Sequence, residues 1–508
     1  MIDVAPHDLE TIKRILARHI PDCEVRAFGS RVSWTAKSTS DLDLAVIGDK
    51  ELPRKTLVKL TADLEDSALP FTVDILDWHR ISPEFRQHIS KQFEIIQSKQ
   101  DRKAIPEGWR MMKVSEFADV VGGGTPSTKQ EEFWNGDIPW LTPKDLSEHQ
   151  GRQISRGERN ISRLGLENSS ARLVPAGTVL LTSRAPVGYV AIAKNPVSTN
   201  QGFRSLVIKD GFYPEFIYYL LLNSTEYLCS HASGSTFQEI SGSTLSGLDF
   251  LMPALTEQQA IANVLGTLDD KIDLNRRMNE TLEAMAQAIF KSWFVDFDPV
   301  RAKASELIRD GVLEIGDGYR AKNEELRDPG LPFIRAANLN NGFDTEGADR
   351  LFEKSVAKAG TKISRVGDVA FTSKGTIGRF ARVGEKTERF VYSPQVCFWR
   401  SLDRSRLHPA ILYCWMQTDD FRAQIMAVAG QTDMAPYVSL ADQRQIDVPL
   451  FPTTQQEMGE KIASLLVRES HNQAASRTLA SLRDTLLPKI ISGEVRVAGH
   501  GQFLEAMP

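Results

Sequence analysis

Three aspartates in the first hundred residues have the spacing expected of carboxylate ligands at a metal site. Asp41 and Asp43 stand two apart in "SDLDLAVIG", and Asp74 lies in "FTVDILDW". Strand residues two apart face the same side, so Asp41 and Asp43 share a face, and Asp74 on a neighbouring strand completes the set. Hard oxygen ligands of this kind hold Mg²⁺, which activates an attacking oxygen and stabilises leaving pyrophosphate. The three residues are therefore predicted to be catalytic and metal-binding, with Mg²⁺ as cofactor and a nucleoside triphosphate as candidate substrate.

A glycine–serine pair precedes these aspartates, directly after the apolar "VRAF". Gly29 and Ser30, predicted at the start of a helix, would offer backbone amides and a hydroxyl to nucleotide phosphates, and Arg31 is predicted to join them. Gly-Ser, Asp-x-Asp and a spaced third Asp together resemble the minimal nucleotidyltransferases of the DNA polymerase beta superfamily. The resemblance covers about the first hundred residues and implies a small α/β domain, here called the head.

The head departs from the common pattern of that superfamily, Gly-Ser-x-Ala-Arg-Gly. Val32, Ser33 and Trp34 stand in the last three places. The missing arginine removes a phosphate partner, and Trp34 would tighten a turn that glycine usually opens. Two alternatives to an active transferase therefore stay open. The carboxylates could form a solvated strand edge, or an inactive head could serve as an assembly or regulatory surface.

The rest of the chain contains an internal repeat with an offset near 190–200 residues. Each copy has short apolar runs broken by Gly, Pro and Asn, which predict strands and turns, followed by a helix. The matching stretches are "IPWLTPKDL" (138–146) with "LPFIRAANL" (331–339), "VPAGTVLLTSRAPVGYVAIA" (174–193) with "SRVGDVAFTSKGTIGRFARV" (364–383), and "ALTEQQAIANVL" (254–265) with "FPTTQQEMGEKI" (451–462).

The first repeat helix carries an apolar seam with alternating spacings of four and three, typical of a coiled coil. Asn275 and Asn279 interrupt this seam. They are either partly solvated or buried residues that fix helix register, for which Asn472 in the second helix is a plausible partner. A helix of this length extends on the order of 60 Å. Two such helices packed antiparallel would relate two β-rich domains by pseudo-two-fold symmetry, an arrangement suited to contacting duplex DNA at two places.

Two pairs of loops recur at equivalent places in the repeat and are candidates for DNA contact. "TSRAPVG" (182–188) matches "TSKGTIG" (372–378), and "ASGSTFQEISGSTL" (232–245) matches "AGQTDMAPYVSL" (429–440). Hydroxyls and cations in such turns suit phosphate oxygens or guanine edges, although a single arginine in a turn is more often solvated. The predicted DNA-binding residues are Thr182, Ser183, Arg184, Ser235, Thr236, Thr372, Ser373, Lys374 and Thr432.

About three quarters of the chain, from about residue 106 to 497, resembles the specificity subunits of type I restriction–modification systems. The resemblance is carried by "AIFKSWFVDFDPVRAK" (288–303), "DGVLEIGDGYRAKNEEL" (310–326) and "LRDTLLPKIISGEVRV" (482–497), together with the duplication. It implies two target-recognition domains that read a split DNA sequence, without a cofactor, and helices that set the gap. It further implies partners: double-stranded DNA, two adenine methyltransferase subunits and ATP-dependent restriction subunits.

The aromatic cluster "KSWFVDFD" at the end of the first long helix has two interpretations. Trp293, Phe294 and Phe297 either close the core against the next domain or form an exposed patch for the methyltransferase. The expected fold class is multidomain α+β. The expected boundaries are a nucleotidyltransferase-like head (1–97), a linker (98–108), target-recognition domain 1 (109–253), helix 1 (254–299), target-recognition domain 2 (300–451), helix 2 (452–494) and a C-terminal tail (495–508).

Composition limits the remaining function classes. The net charge of −5 argues against a general polyanion binder, so a nucleic-acid surface must be a local patch. Four scattered cysteines, apolar runs too short for a bilayer and an N-terminus without signal-peptide character predict a cytoplasmic protein. We find no Pro-Pro-aromatic methyltransferase motif, ATP-binding P-loop or nuclease carboxylate cluster after residue 106. The principal hypothesis is a DNA-specificity subunit, and the alternative is a nucleotidyltransferase acting on a protein or RNA, with the repeats as targeting arm.

Overall fold

The computed structural model of the protein describes residues 2–37, 40–67, 69–98, 105–149, 151–234, 238–296, 299–339, 342–374, 377–429, 437–451 and 455–497. The chain divides into two compact units. One contains Met1–Val264 and Leu487–Pro508, and the other contains Leu265–Leu486. Among the helices that the structure describes, none combines the length and apolar character that crossing a lipid bilayer requires.

The head is a four-stranded sheet covered by helices on both faces. The strand order is β3-β2-β1-β4; β2 and β3 are parallel and the other neighbours antiparallel. Ile12 and Leu60, from α1 and α2, pack on one face, and Ile89 from α3 packs on the other. The elements are α1 (Pro6–His19), β1 (Glu24–Phe28), β2 (Leu42–Ile47), α2 (Arg54–Glu65), β3 (Val73–Asp77), α3 (Pro83–Lys91) and β4 (Glu94–Gln97).

Target-recognition domain 1 contains a five-stranded sheet (β6-β14-β11-β12-β8), a four-stranded sheet (β10-β13-β7-β9) and a closing pair (β15-β5). Its elements are β5 (Arg110–Lys113), α4 (Val114–Phe117), β6 (Ala118–Gly122), β7 (Trp134–Leu141), α5 (Pro143–Glu148), β8 (Gln153–Ile154), β9 (Arg159–Ile161), α6 (Arg163–Glu167), β10 (Leu173–Val174), β11 (Val179–Ser183), β12 (Val187–Ala193), β13 (Val197–Thr199), β14 (Arg204–Ile208), α7 (Pro214–Leu222), α8 (Thr225–Ser230), α9 (Gly242–Ser246) and β15 (Asp249–Met252).

Target-recognition domain 2 contains a four-stranded sheet (β17-β23-β20-β21), a three-stranded sheet (β19-β18-β22) and a closing pair (β16-β24). Its elements are β16 (Val300–Lys303), α11 (Ala304–Arg309), β17 (Leu313–Gly316), β18 (Gly330–Ile334), β19 (Arg350–Phe352), α12 (Glu353–Ala359), β20 (Val369–Thr372), β21 (Phe380–Arg382), β22 (Val391–Tyr392), β23 (Val396–Ser401), α13 (Pro409–Met416), α14 (Asp419–Val428), α15 (Leu440–Gln443) and β24 (Asp447–Leu450). The helices preceding and following it in the chain are α10 (Leu255–Asp296) and α16 (Gln455–Ile491).

The same contacts close each recognition domain, at the point where its first and last strands pair. Lys113 Nζ lies 3.2 Å from Asp249, and Lys303 Nζ lies 2.9 Å from Asp447. In both domains a glutamate three residues after the lysine accepts the lysine's backbone amide, forming a capping box for the next helix. The sequence repeat is therefore matched by a repeat of individual bonds.

Helices α10 and α16 pack antiparallel within the second unit. Asp269 contacts Arg483, Asn275 contacts Ser476, and Asn279 contacts Asn472, so residue numbers rise along one helix as they fall along the other. Their apolar residues, including Ala286 and Phe290 of α10 and Met458, Ile462 and Leu466 of α16, join the core of target-recognition domain 2. The predicted antiparallel helix pair and α+β fold class are confirmed.

Asparagines lie within this helix pair, which decides between the two interpretations of the interrupted seam in favour of buried residues. Asn275 is 2% exposed and donates from Nδ2 to Ser476 Oγ over 3.2 Å. Asn472 donates from Nδ2 to Asn279 Oδ1 over 2.9 Å. The expected partnership with Asn472 is confirmed, and burial makes a misaligned register costly, because these amides would lose their partners.

Candidate DNA-recognition loops and head carboxylates

The sheet of the head brings two of the predicted carboxylates side by side. Asp43 and Asp74 occupy matching positions on the parallel strands β2 and β3, and Asp41 directly precedes β2. Burial raises the pKa of Asp43, and the negative charges of Asp74 and Asp41 raise it further. This crowding of like charges fits a divalent cation in charge and donor type. No group of three or more His, Cys, Asp or Glu within the described ranges is arranged to hold a metal ion, and the Mg²⁺ site stays a prediction.

Gly29 lies directly against Asp43. Phe28 pairs with Asp43 across β1 and β2, and a Cβ added at Gly29 would overlap Asp43 Oδ2. Gly29 also has a φ of +80°, which glycine adopts at little cost. Only glycine therefore fits this position without displacing the carboxylate.

The segment after Gly29 is a turn, and the helix predicted to begin at Gly29 and Ser30 is wrong. The amides of Val32 and Ser33 donate to the carbonyl of Gly29, but the chain then leaves the helical path at Trp34, whose φ is +57°. Trp34 adopts the left-handed conformation that the glycine of the common pattern would favour, and it is 60% exposed.

Arg31 is committed to the backbone of the head. Its guanidinium donates to the carbonyl of Asp3 over 2.8 Å and to that of Ser40 over 2.7 and 3.0 Å, and it stacks 3.9 Å from the ring centroid of Phe71. The side chain is buried. The expectation that Arg31 contacts nucleotide phosphates is therefore corrected: this arginine anchors the N-terminal segment and the loop that leads into β2.

In each recognition domain, the two predicted loops are joined to each other. The carbonyl of Ser183 accepts the amide of Ile240 over 3.0 Å, and the carbonyl of Ser373 accepts the amide of Val438 over 3.0 Å. The amides of Ser183 and Ser373 in turn donate to Gly202 (2.7 Å) and Gln395 (3.3 Å), at the entrances of β14 and β23. Loops that are about fifty residues apart in sequence thus form one surface in each domain.

The hydroxyls predicted to contact DNA lie inside these loops. Thr182, Ser183, Thr372 and Ser373 are all at most 1% exposed. Thr182 Oγ1 accepts the amide of Tyr189 over 2.9 Å, and Thr372 Oγ1 accepts the amide of Arg379 over 3.3 Å. The predicted DNA contacts of these four hydroxyls are therefore corrected, because the hydroxyls lie in the interior and the two threonines hold the turn backbone there.

The cations of the same turns remain accessible. The side chain of Arg184 is 37% exposed, and Lys374 is exposed. Each forms a backbone bridge to the partner loop, Arg184 to Glu239 and Lys374 to Tyr437. The other predicted DNA contacts, Ser235, Thr236 and Thr432, lie outside the described residues.

The aromatic cluster at the end of α10 is partly built into the core. Trp293 packs against the core of target-recognition domain 2, and Lys461 Nζ lies 5.4 Å from its ring centroid. This supports the interpretation in which Trp293 closes the core. The side chain of Phe294 and all of Phe297 lie outside the described part of the structure, so an interface with a methyltransferase stays a prediction.

The repeat region and the head each resemble known proteins. Residues 106–284 match the type I restriction modification DNA specificity domain. The chain is 37% identical over 416 residues to the type I restriction enzyme MjaIX specificity subunit of Methanocaldococcus jannaschii, a match that covers 77% of this chain and 95% of that relative. The chain belongs to the type I restriction enzyme specificity subunits.

This specificity subunit carries the head in addition to the family's domains. Residues 10–102 match the polymerase beta nucleotidyltransferase family. Over 99 residues the chain is 41% identical to a protein of Haemophilus influenzae described as "Probable protein adenylyltransferase MntA", covering 20% of this chain and 87% of that relative. Both resemblances stated from the sequence are confirmed.

Two residues that no sequence pattern singled out stand at equivalent places in the subunit's recognition loops. Glu239 and Tyr437 lie beside Arg184 and Lys374, and their importance follows only from the pairing of distant loops. One signal was available: aligning "QEISGSTL" with "PYVSL" places both residues two positions before the serine that caps the next helix.

Proposed function

We propose that this specificity subunit reads a two-part DNA sequence, one part with each recognition domain. The observation that carries the proposal is the duplicated bond between the two loops of each domain, Ser183 to Ile240 and Ser373 to Val438. A rigid backbone frame that displays an accessible cation is what base-edge recognition requires, because a fixed side chain loses little entropy on binding. Two such frames in one chain match a target with two specified parts.

The charge of the chain supports local contact with DNA. At a net charge of −5, general attraction to phosphates is weak, so binding depends on cations placed at defined positions. Arg184 and Lys374 occupy such positions. An arginine fork and a lysine both donate to guanine O6 and N7 in the major groove, whereas the buried hydroxyls serve the frame.

The partners are two adenine methyltransferase subunits and, through them, ATP-dependent restriction subunits, in the cytoplasm. Membership of the type I specificity subunits supports this assignment. In the described residues we find no motif for methylation or ATP hydrolysis outside the head. Outside the head, the subunit therefore supplies sequence recognition, and its partners supply methylation and restriction.

The test is co-expression with the cognate methyltransferase subunit, followed by mapping of methylated adenines across a genome. The expected result is a single motif of two specified parts separated by a spacer of fixed length. The double variant Asp41→Ala/Asp43→Ala should give the same motif, because the head is not part of the recognition surface. A stable complex that methylates no motif would overturn the proposal.

For the head we propose metal-dependent nucleotide transfer to a protein or RNA. The pairing of Asp43 with Asp74 and the contact of Gly29 with Asp43 support it. Asp41, Asp43 and Asp74 would hold Mg²⁺, which when bound neutralises phosphate charge and activates the attacking oxygen. Because Gly29 has no side chain, the backbone of this turn lies directly against Asp43 without displacing the carboxylate.

A labelling experiment tests nucleotide transfer by the head. Purified complex incubated with labelled ATP and Mg²⁺ should transfer label to a protein or RNA of the host extract. Asp43→Asn should abolish labelling, whereas Asp49→Asn, at an aspartate just beyond β2, should retain it. Equal labelling by wild type and Asp43→Asn would contradict a catalytic role of the head.

A further inference from the structure

A carboxylate stands between two arginines on the loop surface of target-recognition domain 1. Glu239 Oε1 accepts a hydrogen bond from Arg204 Nη2 over 3.0 Å, and Glu239 Oε2 lies 3.5 Å from Arg184 Nη1. Both contacts are accessible, since the side chains of Glu239 and Arg184 are 36% and 37% exposed. The cluster lies beside the turn that displays Arg184.

The backbone fixes the position of Glu239. Its amide donates to Ser233 O and its carbonyl accepts the amide of Ser233, both over 2.9 Å. The next residue, Ile240, donates to Ser183 over 3.0 Å. Three hydrogen bonds around one residue fix the backbone that carries the carboxylate before any ligand arrives.

The two arginines have different roles. Arg204 is 20% exposed and also donates to the carbonyl of Phe203 over 2.9 Å, so it anchors Glu239 from below the surface. Arg184 is more exposed, and its contact with Glu239 is longer. Arg184 is thus the cation that is exposed to a ligand while Glu239 lies beside it.

Target-recognition domain 2 keeps the frame but lacks this cluster. Tyr437 stands at the place of Glu239, and Lys374 at the place of Arg184. Gly202 and Gln395 are equivalent, because their carbonyls accept the amides of Ser183 and Ser373. Two residues further along each chain segment, Arg204 is therefore matched by Cys397, which is buried. Because the frame forms without the carboxylate in domain 2, the fold does not require Glu239.

We propose that Glu239 determines the base specificity of target-recognition domain 1, accepting a hydrogen bond from cytosine N4 while it orients Arg184 toward a guanine. Phosphates repel a carboxylate, so a carboxylate at a DNA-facing surface is expected to face the groove. There, Asp and Glu side chains accept hydrogen bonds from the N4 amino group of cytosine. The half-site of domain 1 therefore contains a specified C·G pair. This inference rests on the proposed DNA-reading function.

The test uses the full chain co-expressed with its methyltransferase subunit, and methylated adenines are mapped for wild type and Glu239→Gln. The variant should accept other bases at one C·G position of one half-site, with a loss of discrimination of about 10-fold or more. The other half-site and the spacer should stay the same. Glu167→Gln is the matched control, because Glu167 pairs with Arg163 on the same domain, 3.1 Å apart and outside the loops.

The outcomes distinguish the proposed role of Glu239 from the proposed reading of DNA by the two domains. A wild-type split motif that Glu239→Gln leaves unchanged overturns the inference alone, as does relaxation in both half-sites. A wild type without a split motif overturns both. If Glu239→Gln melts at a lower temperature and methylates nothing, Arg184→Lys decides, because it keeps the charge and removes the planar fork. It should relax the same half-site, and an unchanged motif would overturn the inference.

Discussion

The amide of Ile240 donates a hydrogen bond to the carbonyl of Ser183 over 3.0 Å, and this bond joins two loops through residues that are more than fifty positions apart. Its counterpart in the second recognition domain, Val438 to Ser373, has the same length. Because both bonds use only the backbone, they leave the neighbouring side chains free to differ. One frame can therefore carry different base contacts in its two copies, which is what an asymmetric DNA target requires.

Gly29→Ala should impair the head through Asp43. The added Cβ would meet Asp43 Oδ2, and the positive φ adds a conformational cost of about 1–2 kcal/mol. We expect loss of nucleotide transfer and faster amide exchange in strand β2, measured by hydrogen-exchange mass spectrometry of the full chain.

Gly211→Ala distinguishes the overlap with Asp43 from the conformational cost of a positive φ. Gly211 has a φ of +89°, but an added Cβ would meet nothing within 4 Å. This variant should show the conformational cost in its own peptide and retain nucleotide transfer. Equal transfer by Gly29→Ala and wild type would contradict the proposed site.

Asn275→Leu should stabilise the helix pair while weakening its register. Burying an apolar side chain at this position outweighs the lost hydrogen bond to Ser476 by about 1 kcal/mol, since Ser476 is partly exposed and can turn to water. We expect a higher Tm together with a mixture of spacer lengths in the methylated motif. Unchanged melting and an unchanged spacer would show that Asn275 does not fix register.

Glu469 makes the stability of the second unit depend on pH. Burial raises its pKa to about 7, with Glu283 adding to the effect and Arg382, 3.8 Å away, opposing it. The unfolded chain ionises this carboxyl near its ordinary value of 4.5, so the folded form retains the proton longer. Stability from this residue is therefore full below about pH 4.5, falls as pH rises toward 7, and stays low above it.

Glu469→Gln removes this dependence. The free energy of unfolding of the variant minus that of wild type should rise by up to about 3 kcal/mol from pH 5 to pH 8. Urea unfolding of the two chains at each pH measures this difference. Glu457→Gln, at an exposed position on the same helix, should track wild type at both pH values. A constant difference between Glu469→Gln and wild type at pH 5 and 8 would refute the assignment.

Much of the fold follows from sequence because it depends on local pattern. The alternation around Asp43 predicts its strand, the seam of α10 predicts a second helix packed against Asn275, and the repeat predicts two equivalent domains. These features depend on periodicity within one element or on self-similarity between segments, both of which are visible in the chain.

The wrong predictions, apart from the helix at Gly29 and Ser30, concern the direction of side chains. Arg31 has the residue type of a phosphate ligand, yet its donors are used by carbonyls at Asp3 and Ser40. The hydroxyl of Thr182 has the type of a DNA contact, yet it lies within its own turn. Residue type does not show which face of a loop a side chain occupies, and the role of Glu239 depends on contact with a distant loop.

In the proposed function, each recognition domain reads its own half of the target. The most direct test compares genome-wide adenine methylation by complexes carrying Arg184→Ala, Lys374→Ala or the surface control Arg163→Ala. We expect Arg184→Ala to relax one half-site and Lys374→Ala the other, each with a loss of about 1–3 kcal/mol of discrimination, while Arg163→Ala changes neither. Relaxation of the same half-site by both loop variants, or of neither half-site by either variant, would contradict the proposed function.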